Sequence, residues 1–515
     1  MYDTNRYRLA WRLLLPVIIK YGKYCQQSDA GNYLCAVRKK KPTVILENIF
    51  VEDYAAEGKS LSRIDGKVIF IENVVPGDVV DVQLIKNKKD WAEGFPLRFK
   101  QYAKDRITAF CTHFGTCGGC QWQTLPYAKQ LAYKQKQVAD NLQRIGKIEL
   151  PGILPIIGCD ATTQYRNKLE YTFSTKRFIP TEEFRQLKSL PPDERAQQEN
   201  RGAAGFHAKG MFDKVVEIQT CHLQEEPTNQ IRNAVVQFAR EQGYSFHDIR
   251  THEGWLRNML VRITTTGEIM VNLVIGYEEE QNRIALLNFI LQQFPQVTTL
   301  LYTINPKRND SLNELEPQVY FGKGFITEKL EDYTFIISPK SFFQTNSRQA
   351  EKLYRVTRDF AELDGTQTLY DLYCGTGSIG IFASRQAGKV IGVEVIDEAI
   401  EDAKKNAALN NIQHASFYAG DVIKICDDAF FEQNGRPDVI ITDPPRAGMH
   451  EKLVLKLLEI EAPLIVYVSC NPATQARDLA LLGEKYTVEK IQPVDMFPHT
   501  HHIENVVQLK LKQKL

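Results

Sequence analysis

From Thr368 onward the chain alternates short apolar runs with stretches of helical texture. The runs TLYDLYC, KVIGVEV, ASFYAG, DVIITD, LIVYVSC and NVVQLKL mark strands, and strand–helix alternation predicts a doubly wound, mainly parallel α/β sheet. Between Pro42 and about Lys100 the pattern differs: KVIFIENVV and DVVDVQLI are split by the turn signals Asp65-Gly66 and Pro76-Gly77-Asp78, which predicts a small OB-like β-barrel. The middle of the chain is mixed. It shows a helix from Tyr127 to Ile145, a hairpin (LVRITTTG, IMVNLVIG) turning around Gly267, and a polar, proline-interrupted stretch from Thr181 to Ala204 that reads as a surface insertion or mobile loop. The division that follows is an extension at 1–38, a barrel at 39–102, a central α+β domain at 103–335 and the α/β domain at 336–515.

At 515 residues the chain is too long for one core. Hydrophobic residues at 43% and charged residues at 25% argue against a disordered or membrane protein. The run Trp11 to Lys20 is apolar, but it carries Arg12 and Pro16 and is too short to span a bilayer. It lacks a small-residue cleavage site as well, so the first 36 or so residues read as a dispensable extension from a start assigned too early. The ten cysteines follow no even-numbered secreted framework, which fits reduced thiols in the cytoplasm. A net charge of +1 hides a basic window from Lys86 to Lys147, with 12 Lys or Arg against 4 Asp or Glu. Such a window is the footprint of a polyanion-binding face, although a solvated basic surface gives the same count. In the barrel, Lys86, Lys88, Lys89, Trp91 and Phe95 mix cations with rings able to stack on bases.

The loop Gly375-Thr-Gly-Ser-Ile-Gly380 follows a strand and opens a helix, and Glu394 ends the next strand 19 positions after Gly375. That spacing suits a nucleotide whose ribose is held by a carboxylate, and it fits a dehydrogenase as well as a methyltransferase. Asp371 before the glycines, Asp421 after the third strand and Asp443 after the fourth favour the second. An adenosine joined to a sulfonium cation suits surrounding carboxylates, whereas a pyrophosphate does not. The strand LIVYVSC then delivers Cys470 to the same end of the sheet. An isolated cysteine there is ordinarily a small buried hydrophobe. Beside a methyl donor it can instead add to carbon 6 of uracil and raise the electron density at carbon 5. Glu504, in Pro498-His-Thr-His-His-Ile-Glu504, is the candidate base for the carbon-5 proton, with His499 and His502 as orienters or ring contacts. Cys374 in the glycine loop reads as packing.

Five segments now coincide with one family: SFFQTN at 341–346, DLYCGTG at 371–377, DPPRAG at 443–448, SCNPATQARD at 469–478 and DMFPHTHHIE at 495–504. From about residue 40 to its end the chain resembles the RNA uracil-5-methyltransferases, specifically the bacterial 23S ribosomal RNA branch with a TRAM barrel and an iron-sulfur cluster. The resemblance implies a Rossmann-like class I methyltransferase domain, S-adenosylmethionine as methyl donor, Cys470 as nucleophile and Glu504 as base. It implies cofactor contacts at Gln344, Tyr373, Gly375, Ser378, Glu394, Asp421 and Asp443. It also gives Cys111, Cys117, Cys120 and Cys221 a meaning as ligands of a 4Fe-4S cluster, for which tetrahedral zinc is the rival on spacing alone. The expected partner is 23S ribosomal RNA, with no membrane and no obligate protein partner. A transfer RNA enzyme of the same chemistry and a catalytically silent RNA-binding assembly protein are the alternatives.

Overall fold

The computed structural model describes residues 44–55, 58–312 and 314–513, and the backbone of two short paired strands, Cys25–Gln27 and Tyr33–Cys35. The apolar run Trp11 to Lys20 and most of the expected extension lie outside the described residues.

Six strands over residues 45–101 form the first sheet. Ile45–Phe50 pairs with Val79–Asn87 at one edge, and the chain runs straight on into Asp53–Tyr54, which pairs with Ser60–Ile64 at the other. One segment bound to both edges curls the sheet into a barrel, filled by Ile49, Val51, Ile69, Ile71, Val80 and Val82. The Pro76-Gly77-Asp78 turn closes it: the buried Asp78 carboxylate accepts from the Val75 and Ala103 amides and pairs with Arg106 at 2.5 Å. Arg106 is one of seven cations in the basic window that pair with carboxylates, the others being Lys86, Lys100, Lys129, Lys134, Lys136 and Arg144. The window is therefore not one uniform polyanion face. Exposed Lys88, Lys89, Phe95 and Arg98 stay on the barrel surface.

The second sheet has seven strands, in the order Val215–Glu217, Ala203–His207, Lys168–Ser174, Leu256–Ile263, Ile269–Ile275, Thr299–Ile304 and Gln318–Phe321. The hairpin around Gly267 is its centre. Helices Thr228–Glu241 and Glu280–Gln293 bury Ile231, Val235, Leu286 and Ile290 against it. The stretch Thr181 to Ala204, expected as a surface insertion or mobile loop, is largely exposed but is not a loop. It forms two helices, Thr181–Leu187 and Pro192–Glu199, and enters a strand at Ala203. The prolines start these helices instead of breaking them, because a first-turn N–H has no intrahelical partner to lose. Glu183 pairs with Arg177 at 2.5 Å and Leu187 is buried, which ties the first helix down.

The third sheet contains β1 (Thr368–Leu372), β2 (Lys389–Glu394), β3 (Ala415–Ala419), β4 (Val439–Thr442), β5 (Leu464–Ser469), β6 (Tyr486–Val494) and β7 (Glu504–Leu511). Their order is β3-β2-β1-β4-β5-β7-β6, with β1 to β5 parallel and β7 antiparallel to both β5 and β6. The order reverses at β1, which opens a crevice at the carboxyl ends of β1 and β4, where ligands of such sheets bind. Strand β6 adds to the six expected runs; Glu489 and Lys490 interrupt its apolar pattern. Two earlier segments complete this core. Helix Tyr127–Arg144 buries Val138 and Leu142 against Ala476 and Leu479, and the hairpin Ile326–Leu330/Tyr333–Ile337 packs beside Leu353, Phe382 and Val390. No helix among the described residues is long and apolar enough to cross a membrane.

Candidate active site

Tyr373, Gly375 and Gly377 take φ of 60°, 53° and 75°, so the chain coils left-handed between β1 and helix Ser378–Ala383. Gly380 lets that helix approach the strand: a Cβ there would stand 2.9 Å from Asp371 Oδ2, to which its own amide donates at 2.8 Å. Asp371 is fully buried, and its Oδ1 has no hydrogen-bond partner. Burial, with Asp443 and Glu394 nearby, pushes its carboxyl up to about 7. Burial alone does the same to Asp443. A polar atom orphaned under a glycine turn and two carboxyls held half-neutral are what a cationic ligand would relieve.

Glu394 ends β2 buried, accepting from the amides of Gly375 at 3.2 Å, Val395 at 2.8 Å and Ile396 at 3.2 Å. Beyond it Val395 and Ile396 are 65% and 54% exposed, an apolar shelf beside a carboxylate. Asp421 caps the short helix Val422–Ile425 through the Ile423 amide at 3.0 Å. Tyr373, half-buried, lies within the fields of Asp421 and Glu394. The Ser378 hydroxyl meets Tyr354 at 3.0 Å, and Tyr354 feels Asp443, Asp371 and Glu504 together. Gln344 is fixed by its backbone, whose carbonyl accepts from Asn167 at 2.9 Å. Cys374 packs under Gly392, as a filler would.

The candidate reacting pair is set by strand register. Ser469 of β5 faces Asn505 of β7, so Cys470 and Glu504 are the next residues to face each other. Asn471 caps helix Pro472–Leu482 by accepting from the Ala473 amide at 3.1 Å, which turns the chain sharply after the thiol. Burial, then Glu504 and Asp443, lift the Cys470 thiol to about 12, with Arg446 opposing. Glu504 is held well above the carboxylate range by burial and by Asp443, again opposed by Arg446. The site at rest is therefore short of positive charge. Arg446 and Tyr354 were not singled out as candidates by the sequence. Arg446 stands three residues after Asp443 in DPPRAG and was open to recognition, whereas a tyrosine inside an amphipathic helix gives no signal.

The histidines divide. His502 Nδ1 lies 3.4 Å from Arg446, and burial pushes its ring down to about 3. The His499 ring turns away towards Phe110, 5.1 Å between centroids, and burial lowers it to about 4. Cys111, Cys117, Cys120 and Cys221 converge on the edge of the central core as free thiols that feel one another's charge. Burial lifts Cys117 to about 11 and Cys120 to about 12. Among the described residues no set of three or more His, Cys, Asp or Glu is arranged to hold a metal ion, so the geometry does not support the expected cluster.

Residues 315–512 match the family model described as tRNA (Uracil-5-)-methyltransferase. A Bacteroides thetaiotaomicron protein described as an uncharacterized RNA methyltransferase is 53% identical over 89% of this chain and 100% of its own length. A Porphyromonas gingivalis protein of the same description is 48% identical over 89% and 98%. The crystal structure of the Pyrococcus abyssi tRNA (uracil-54, C5)-methyltransferase in complex with S-adenosyl-L-homocysteine superposes with a TM-score of 0.68 at 27% identity. That superposition covers 90% of this chain and all of that one. With relatives this similar along nearly their whole length, the chain belongs to the RNA uracil-5-methyltransferase family.

Proposed function

We propose that the protein methylates carbon 5 of a uridine in 23S ribosomal RNA through a covalent adduct on Cys470, with Glu504 removing the carbon-5 proton. The observation that carries the reading is the Ser469–Asn505 pairing, which brings Cys470 and Glu504 to neighbouring strand ends, where Cys470 feels the charge of both Glu504 and Asp443. The Cys470 thiolate bonds to carbon 6 of a uracil turned out of its stem, and the ring's electrons move to carbon 5 and the carbonyl oxygen. S-adenosylmethionine would supply the methyl group, its sulfur leaving with the bonding electrons as S-adenosylhomocysteine, and its sulfonium charge would favour the carboxylate form of Glu504 that burial disfavours at rest. Carbon 5 then carries both methyl and hydrogen. Glu504 takes that proton, the electron pair restores the ring double bond, and the thiolate leaves. The Gly375 turn, Tyr373, Ser378, Gln344 and Asp421 would hold the cofactor, Glu394 beside the exposed Val395 and Ile396 would accept from its ribose hydroxyls, and Asp443 would offset the charge of its sulfonium.

Two measurements test this. RNA made with [5-3H]uridine releases tritium only if the carbon-5 proton is lost. Cys470→Ala is expected to fold and bind S-adenosylmethionine yet transfer no methyl; Glu504→Gln is expected to accumulate a denaturant-stable protein–RNA adduct and release tritium about 100-fold or more slowly. A fully active Cys470→Ala protein would end the proposal.

The ribosomal target rests on the sequence resemblance. The transfer RNA reading has its own support, because a transfer RNA enzyme superposes along all of its own chain on 90% of this one. Methylating 23S ribosomal RNA and transfer RNA side by side, then mapping 5-methyluridine by mass spectrometry, separates them. The four cysteines are proposed, on the sequence resemblance alone, to ligate a 4Fe-4S cluster, a donor set that zinc would also accept. Iron and sulfide analysis after anaerobic purification distinguishes the two. The cluster enters no step of the reaction above.

A further inference from the structure

The loop from Asp495 to Ile503 leads into Glu504, and groups outside the third sheet hold it residue by residue. Asp495 accepts from Lys134 at 2.6 Å and Tyr127 at 2.7 Å. The Met496 carbonyl accepts from Asn346, that of Phe497 from Lys134, and that of Pro498 from Tyr165. His499, at φ 64°, is clasped most fully. Its carbonyl accepts from the amides of Gln121 and Trp122 at 2.9 and 3.0 Å, directly after Cys120. Its own amide donates at 2.8 Å to the side-chain oxygen of Gln130. The Gln130 nitrogen donates back to the carbonyls of Trp122 at 3.1 Å and Leu125 at 2.9 Å and lies 3.2 Å from the His499 ring. Gln130 is fully buried and spends its whole amide on joining the cysteine segment to this loop.

We propose that Gln130 is a positioning residue: it fastens the loop before Glu504 to the cysteine segment and so sets the approach of the Glu504 carboxyl to the carbon-5 proton. The Ser469–Asn505 pairing already brings Glu504 to the strand end beside Cys470. The loop decides how closely its carboxyl is steered. Cys470 comes from β5 and a helix capped by Asn471, and Gln130's hydrogen bonds go instead to Trp122, Leu125 and His499, so adduct formation and proton removal should come apart when the clasp is lost. This inference rests on the covalent reading of the site.

The test compares two RNA probes, ribosomal and transfer RNA transcripts made with 5-fluorouridine or with [5-3H]uridine. A fluorinated ring has no proton to lose, so it reports thiol addition and methyl transfer alone. In the full-length protein, Gln130→Leu is expected to form the fluorinated adduct within about twofold of the unaltered rate while tritium release slows about tenfold or more. Gln130→Glu is expected to recover release to within about threefold, since a buried, protonated carboxyl both accepts and donates. Should Gln130→Leu fail to fold, Gln130→Asn, which keeps the amide but shortens its reach, carries the same comparison with the same expected split. Equal slowing of both reactions, or no slowing of either, overturns the proposal. An unaltered protein that forms no fluorinated adduct would instead overturn the covalent reading beneath it.

Discussion

Asp371 and Asp443 carry an electrical consequence that reaches the stability of the fold. Each has its carboxyl raised from 3.8 to about 7 by burial. The folded chain thus keeps protons between about pH 4 and 7 that the unfolded chain has already released, so stability is full below that window and falls as pH rises through it. For Asp371 alone the loss is on the order of 4 kcal/mol. Asp371→Asn, whose oxygen can still accept from the Gly380 amide, is expected to melt higher than the unaltered protein at pH 8, to show a shallower decline across the window, and to bind S-adenosylmethionine more weakly. Calorimetry at pH 5 and pH 8 checks the first two; an unaltered protein equally stable at both would contradict the argument. Arg446 acts in the opposite sense, since it lowers both Cys470 and Glu504. Arg446→Met is expected to move the alkylation of Cys470 by iodoacetamide to higher pH, read as the midpoint of the rate profile. A midpoint that stays or falls would remove Arg446 from the electrostatics of the pair.

Among the elements, the β1 turn and its helix fit closely. Gly380→Ala would drive a methyl group to 2.9 Å from a buried carboxylate oxygen that its own amide needs. The expected destabilisation is about 1–3 kcal/mol, seen in thermal melts and accompanied by weaker cofactor binding; an unchanged melt would mean the helix shifts freely. This turn was also the most legible part of the sequence, because glycine spacing and an acid at the next strand end are local signals. The strand runs that place Cys470 were equally clear. What stayed hidden depends on contacts between distant segments. Tyr354, Gln130 and Lys134 lie inside ordinary helices, and only the folded chain brings them to Ser378, His499 and Asp495. The Thr181 to Ala204 stretch misled for a different reason: its prolines were read as breaks, although at the first turn of a helix proline is favoured.

Across the whole molecule, charge counting overstated the RNA-facing surface. Lys134, fully buried against Asp495, is structural, and six other cations of the window hold carboxylates. Lys88 and Lys89 on the barrel are better candidates for phosphate contact. The double variant Lys88→Glu/Lys89→Glu is expected to weaken RNA binding about tenfold and to flatten the salt dependence of log K by about two, with methyl transfer at saturating RNA preserved. Binding isotherms at several salt concentrations measure it, and an unchanged salt slope would leave the barrel without a role in holding the polyanion.

Helix Tyr127–Arg144 closes the core of a sheet whose strands all come later in the chain. On the ribosome it emerges long before those strands exist, with Val138 and Leu142 uncovered while the whole central sheet is made. A gene fragment beginning at residue 336 would carry the mirror-image defect, an open greasy socket at Ala476 and Leu479. Translation must therefore finish before the catalytic half can seal, and pieces cut at the apparent domain border should need each other to stay in solution.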